Sequence, residues 1–462
     1  MRARCKKAYR TAKADLRLAW LLTRGSDRRE GWRVLLTAVG AALATGLGLV
    51  IAALLSLDGQ LTVSVGGGLL DQPGTRIGVI FALLMLFIPV LGFLGQCARI
   101  GAVHRDRRLA ALRLAGATPA QVRRIAALES GLACLVGSAV ATAVSVPALL
   151  RLWHSPAPLA WAGIAVVAVG VPVLGAAVSA LVLRRVVTSP LGRIRRLRPA
   201  EGPGRMFRVA TAALALAVVY IVTVPFFDDV PFEFALAPLT VFVVCLLVGA
   251  VAVWLTGASA RQLGEGLTAR AKSPAVLIAA GRLRDDPWAA ARTHAAVLLV
   301  TVAASGFAGI RQVLLSQLHS PHGDYAESNG FYENGLNLTG AAILVALALL
   351  LTALAVGTAE SVATRRRGLA AQAAAGVPHG VLARALLLET AVPLAPAIAV
   401  AGLGGTVISF WYGSIASEHL ALPVPYAALL VPLAVYPACL LAAATSLPLL
   451  RRSVRPAELR YA

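Results

Sequence analysis

Polar residues in this chain gather in short stretches between long apolar runs. Ten such runs, at 34–56, 77–97, 127–150, 159–183, 209–227, 234–255, 293–310, 338–359, 386–410 and 426–450, predict ten helices. Each comes within a few residues of the ~20 apolar positions that a helix needs to cross a hydrocarbon core of ~30 Å. The expected fold class is therefore an all-α polytopic membrane protein. The first run starts near Val34, too late and too long for an ordinary cleaved signal peptide, and reads as a retained span.

Ten spans place alternate loops on opposite sides, and basic residues identify the inner side. All but three of the 43 Lys and Arg residues fall in the even loops and the two tails; the exceptions are Arg76, Arg151 and Arg311. Both termini are thus expected to face the cytoplasm of a bacterial cell. Asp58, Asp71, Asp228, Asp229, Glu233, Asp324, Glu327, Glu333 and Glu418 fall in the opposite loops, and Trp153, Trp161, Trp411, Tyr412 and Tyr426 flank the outer interface. The chain is 58% hydrophobic and 14% charged, with mean hydropathy +0.77, too apolar for a water-soluble fold. A net charge of +22 could suggest nucleic acid, but these arginines recur between apolar runs and so report topology. Cys97, Cys134, Cys245 and Cys439 lie in or at the ends of apolar runs and Cys5 in the basic N-terminus, so no exterior disulfide framework is implied.

Residues 107–129 and 367–389 say nearly the same thing at one offset of 260, which aligns Arg107 with Arg367, Gly116 with Gly376, Arg124 with Arg384 and Glu129 with Glu389. The repeat predicts a basic N-terminus at 1–33, a four-helix unit at 34–190, a two-helix linker at 191–272, a second four-helix unit at 273–456 and a tail at 457–462. Two linking helices are an even number, so the repeats are parallel. Each unit opens with a semi-polar helix, at 16–23 and 274–284, expected flat on the inner leaflet with its arginines toward lipid phosphate.

Within the repeated loop, 109–115 reads as a continuation of the second span, and Gly116 as the residue just past its end. Thr118 then caps a short basic helix, with Pro119 at its first position and Gln121 completing a capping box. In the second copy Gly376 and Pro378 keep the break, and Val377 reads as a weaker cap. Gly40, Ala44 and Gly48, at four-residue spacing, would let the first span pack closely on its neighbours.

This loop resembles the signature of the FtsX-like permeases, the transmembrane subunits of MacB-type ABC transporters, at Leu112, Arg113, Gly116, Arg124 and Glu129. The resemblance implies that Arg113, Gly116, Thr118, Pro119, Gln121, Arg124 and Glu129, with Gly376, Pro378, Arg384 and Glu389, couple the chain to a separate ABC ATPase, as a dimer under each permease chain. The family's acidic position is Arg108 in one copy and Gly368 in the other, and its arginine becomes Ala373 in the second, which implies a differently wired second docking point. No large exterior domain is expected, the loops at 57–76 and 311–337 being too short.

The chain is not expected to be an enzyme or to hold a cofactor, ATP and magnesium belonging to the partner: its lysines, Lys6, Lys7, Lys13 and Lys272, never follow a glycine, as a phosphate-cradling loop requires. Membrane lipid is an expected partner and nucleic acid is not. His319, His322, Asp324 and Glu327 read as a solvated loop rather than a metal site. Ion-coupled transport is disfavoured because none of the ten runs has a central charge and His294 sits at a terminus. The expected function is export, or outer-leaflet extraction, of a hydrophobic or amphipathic compound such as a lipid or peptide antibiotic. The alternative is a non-transporting subunit that transmits force to a sensor kinase or a cell-wall hydrolase.

Overall fold

The computed structural model describes residues 28–57, 59, 70–71, 73–99, 111–152, 158–187, 205–227, 237–319, 329–416 and 424–453. In chain order the helices are α1 (Arg28–Leu55), α2 (Pro73–Arg99), α3 (Pro119–Leu152), α4 (Pro158–Val187), α5 (Arg205–Phe227), α6 (Ala237–Ala269), α7 (Pro274–Asp285), α8 (Trp288–Leu318), α9 (Asn329–Thr364), α10 (Arg366–Ala374), α11 (His379–Ala416), α12 (Tyr426–Ala444) and α13 (Leu447–Ser453). The described residues contain no strand. The protein is an all-α polytopic membrane protein.

Nine helical stretches among the described residues are long and apolar enough to cross a membrane: α1 to α4, α6, α8, α9, α11 and Tyr426–Arg451. The fifth expected run falls on α5, whose described apolar stretch is Phe207–Leu216. Large apolar side chains stand exposed on these helices, Val144, Val166, Leu433 and Leu441 among them, as expected of surfaces that meet lipid rather than water.

The chain folds as two compact units, one of Met1–Gly59 with Val90–Arg196, the other of Gln60–Pro89 with Leu197–Ala462. In the first, α1, α3 and α4 pack on one another. Small residues set their spacing: a Cβ on Gly137 of α3 would run into the backbone of Ala38, and one on Gly131 would come within 3.1 Å of the Ala176 Cβ. Ser138 Oγ donates to the Ala168 carbonyl of α4 at 2.8 Å, the kind of interhelical hydrogen bond that membrane bundles favour. On α1, a Cβ on Gly40 would meet Phe93 at 3.2 Å, Ala44 is fully buried, and a Cβ on Gly48 would meet Val167 at 2.9 Å. The stripe therefore packs on two different neighbours, and Gly137, unremarked in the sequence, makes the closest approach.

In the second unit α8 is central, in contact with α6, α9, α11 and α12. Six consecutive positions from Val297 to Val302 are buried, which only a helix covered on all sides can achieve. Its crossing with α11 is a glycine seam in which Gly405 lies against Ser305 and Gly306. Gln312 joins α8 to the start of α12, donating to the Val424 carbonyl and accepting from the Ala427 N–H, both at 2.9 Å.

Several sequence boundaries shift. The short basic helix expected before the third span is continuous with it in α3, 34 residues long. The expected loop at 311–337 shrinks because α8 continues to Leu318 and α9 begins at Asn329. The last run is interrupted between α12 and α13, where the Pro448 ring would clash with the carbonyl four residues back, at Ala444. The helix expected at 16–23 lies outside the described residues. Its counterpart α7 is capped by Ser273, whose Oγ accepts from the Val276 N–H at 3.4 Å, and Pro274 follows at the first position. The buried face of α7, Ala275, Ala279, Ala280 and Leu283, meets protein, with Gly264 of α6 against Ala280 and Leu283.

Candidate functional site

Both copies of the repeated loop close with the same backbone bonds. In the first, the Ala117 N–H donates to the Leu112 carbonyl at 3.0 Å and the Gly116 N–H to the Arg113 carbonyl at 3.0 Å. In the second, Val377 donates to Gln372 at 3.1 Å and Gly376 to Ala373 at 2.9 Å. This is a Schellman motif, in which the residue after the helix end takes a left-handed conformation. Gly116 has φ +96° and Gly376 φ +90°, where an L side chain is strained. Apolar contacts complete each motif: Leu112 and Ala117 pack with Val122 and Ala126, and Ala373 and Val377 with Val362, Leu369, Leu382 and Leu450.

The restart differs between copies. Thr118 and Gln121 form the capping box: the Gln121 N–H donates to Thr118 Oγ1 at 3.3 Å and the Thr118 N–H to Gln121 Oε1 at 2.9 Å. Pro119 occupies the first position of α3. In the second copy the cap is Pro378 rather than Val377, because the turn fixes the spacing and α11 begins at His379. Pro378 offers only its carbonyl, which accepts from Val381 at 3.0 Å and Leu382 at 3.2 Å. Arg124 and Arg384 are exposed on their helices, while Arg113 is half-buried.

Thirteen residues beyond each glycine comes a glutamate. Glu129 is buried, with 2% of its surface exposed. Glu389 receives the Arg365 guanidinium at 2.8 Å on one oxygen and the Arg282 guanidinium at 3.5 Å on the other. Burial first, then the Arg365 charge, lowers the Arg282 pKa from the ordinary arginine value, while Glu389 and Asp285 pull it back up. Arg282 is thus turned toward protein, a correction to the expected lipid-facing orientation. A cavity of about 50 Å³ opens beside the carboxylate, with Thr358, Ser361, Thr390 and Ser446 in its wall.

Arg282, Arg365 and Leu450 are part of this region and were missed in the sequence. A signal existed for Arg365: it precedes Glu389 by 24 residues, as Arg105, outside the described residues, precedes Glu129. His319 Nε2 pairs with Glu333 at 3.4 Å, and His322, Asp324 and Glu327, the other polar residues of that loop, lie outside the described residues. No metal-holding cluster occurs among the described residues.

Residues 79–191 match the family model of the FtsX-like permease C-terminal domain, consistent with the FtsX-like permease family. The match covers the first turn and α3 and supports a membrane permease component of an ABC-type system, a transmembrane and generally non-catalytic role normally partnered by a separate ATPase. No curated protein and no solved structure matches the chain.

Proposed function

We propose that this chain is the permease subunit of a MacB-type ABC transporter and that its two glycine turns dock on an ATPase dimer at the cytoplasmic face. The observation that carries the reading is the recurrence of one backbone motif, Gly116 and Gly376 with matching φ and matching hydrogen bonds, at a fixed 260-residue interval. A two-fold partner needs two like contacts, and a repeat provides them. In unit one the coupling residues are Arg113, Gly116, Thr118, Pro119, Gln121, Arg124 and Glu129; in unit two they are Gly376, Pro378, Arg384 and Glu389. α3 and α11 run on from each turn for about 50 Å or more, at 1.5 Å per residue, and are long and apolar enough to cross a membrane, so each docking point is continuous with a span.

The cargo is a hydrophobic or amphipathic compound, a lipid or a peptide antibiotic, exported or drawn from the outer leaflet of the bacterial cytoplasmic membrane. Small apolar residues line the helix crossings, and such surfaces select by shape. Replacing 117–124 or 377–384 with a Gly-Ser linker should lower both ATPase co-purification and ATP turnover; undiminished values in both variants overturn the reading. Nucleotide-dependent movement of the chain with no movement of lipid or peptide across vesicles identifies instead a subunit that only transmits force.

A further inference from the structure

Glu389 stands where three helices meet: its own α11, α7 through Arg282, and the joint between α9 and α10 through Arg365. Arg365 is the single residue that separates α9 from α10, with φ −94° and ψ 5° and no side-chain cap. Helices shorter than about 12 to 15 residues are marginal alone in water. At 12 residues α7 and at 9 residues α10 depend on contacts for their position. Each has an apolar footing, Ala275, Ala279, Ala280 and Leu283 for α7 and Leu369 and Ala370 for α10. The carboxylate ties the two footings together, and its side chain is 16% exposed against 28% and 33% for the arginines.

Two guanidinium groups share one carboxylate, and the Arg365 charge acts unfavourably on Arg282, offset by Glu389 and, less, by Asp285. Removing the carboxylate therefore converts a bridge into repulsion between α7 and the α9–α10 joint. We propose that Glu389 is a positioning residue that locks α7 and the α10 turn to α11, so that a displacement of the turn is passed to α7 and on to α6, where Gly264 receives it. The linker helix α6 then belongs to the moving machinery and is more than a tether between the repeats. The contact stands on the structure; its purpose rests on the coupling reading above.

Hydrogen exchange on the full chain in nanodiscs tests the lock. Glu389→Gln should raise exchange at least tenfold across Pro274–Asp285 and Arg366–Ala374 while leaving Trp288–Leu318 unchanged. Arg282→Gln should loosen α7 alone and Arg365→Gln α10 alone, and these two variants carry the test if Glu389→Gln does not fold. Unchanged exchange in every variant that folds, or faster exchange in all helices alike, overturns the proposal. With the ATPase that co-purifies with the wild-type chain, Arg282→Gln, which lies outside the docking residues, should keep binding but lose most stimulation of ATP turnover; full stimulation overturns transmission through the lock. Should no ATPase co-purify with the wild type while the exchange pattern holds, the coupling reading fails and the lock stands.

Discussion

The first glycine turn carries a side-chain capping box, and the second rests on buried leucines. Around Gly116 the restart is secured within four residues by Thr118 and Gln121. Around Gly376 no side-chain cap exists, and the turn rests on Leu382 and Leu450, 1% and 2% exposed, with Glu389 and its two arginines close by in sequence or contact. A backbone conformation can therefore be repeated while the forces that keep it are exchanged.

This contrast can be broken by mutation, most strongly under the second turn. Leu382→Ala should cost about 2–5 kcal/mol, as deletion of a buried leucine generally does, and thermal unfolding in detergent reads it. Val122→Ala, its counterpart, should cost less because fewer buried methyl groups are lost. Next, Gly116→Val and Gly376→Val should each cost about 1–3 kcal/mol, since both demand positive φ; a large difference between them in the same assay would show that one turn relaxes. Thr118→Ala should cost about 1 kcal/mol through the lost cap, read as faster exchange in the first turn of α3, while Pro378→Ala should leave the start of α11 unchanged. Smallest in stability is Leu114→Ala: at 84% exposure it should alter folding by less than about 0.5 kcal/mol. Its effect should appear instead as weaker ATPase co-purification, with Ala374→Leu strengthening it.

Features with a local cause were legible in the sequence. Glycine at the end of a helix, threonine two residues on and glutamine three beyond that require nothing distant, and Gly116, Thr118 and Gln121 adopt the arrangement their spacing predicts. The apolar runs located the spans for the same reason. Helix ends were less legible because packing sets them. The α6 helix runs 14 residues past the expected end at Leu255, its polar extension carried by buried Ala260 and Gly264. The pairing of Arg282 with Glu389 spans 107 positions and leaves no periodic trace. The close approach at Gly137 was hidden by composition, since one glycine among 42 does not announce which has a neighbouring backbone against it.

The break at Thr445 and Ser446 turns the last described helix back onto the second turn, where Leu450 sits under Leu369 and Leu382. Whatever tugs on the chain just past Ser453 acts directly on that wedge. A bulky fusion placed there should loosen the packing under Gly376, read as faster hydrogen exchange across Arg366–Ala374.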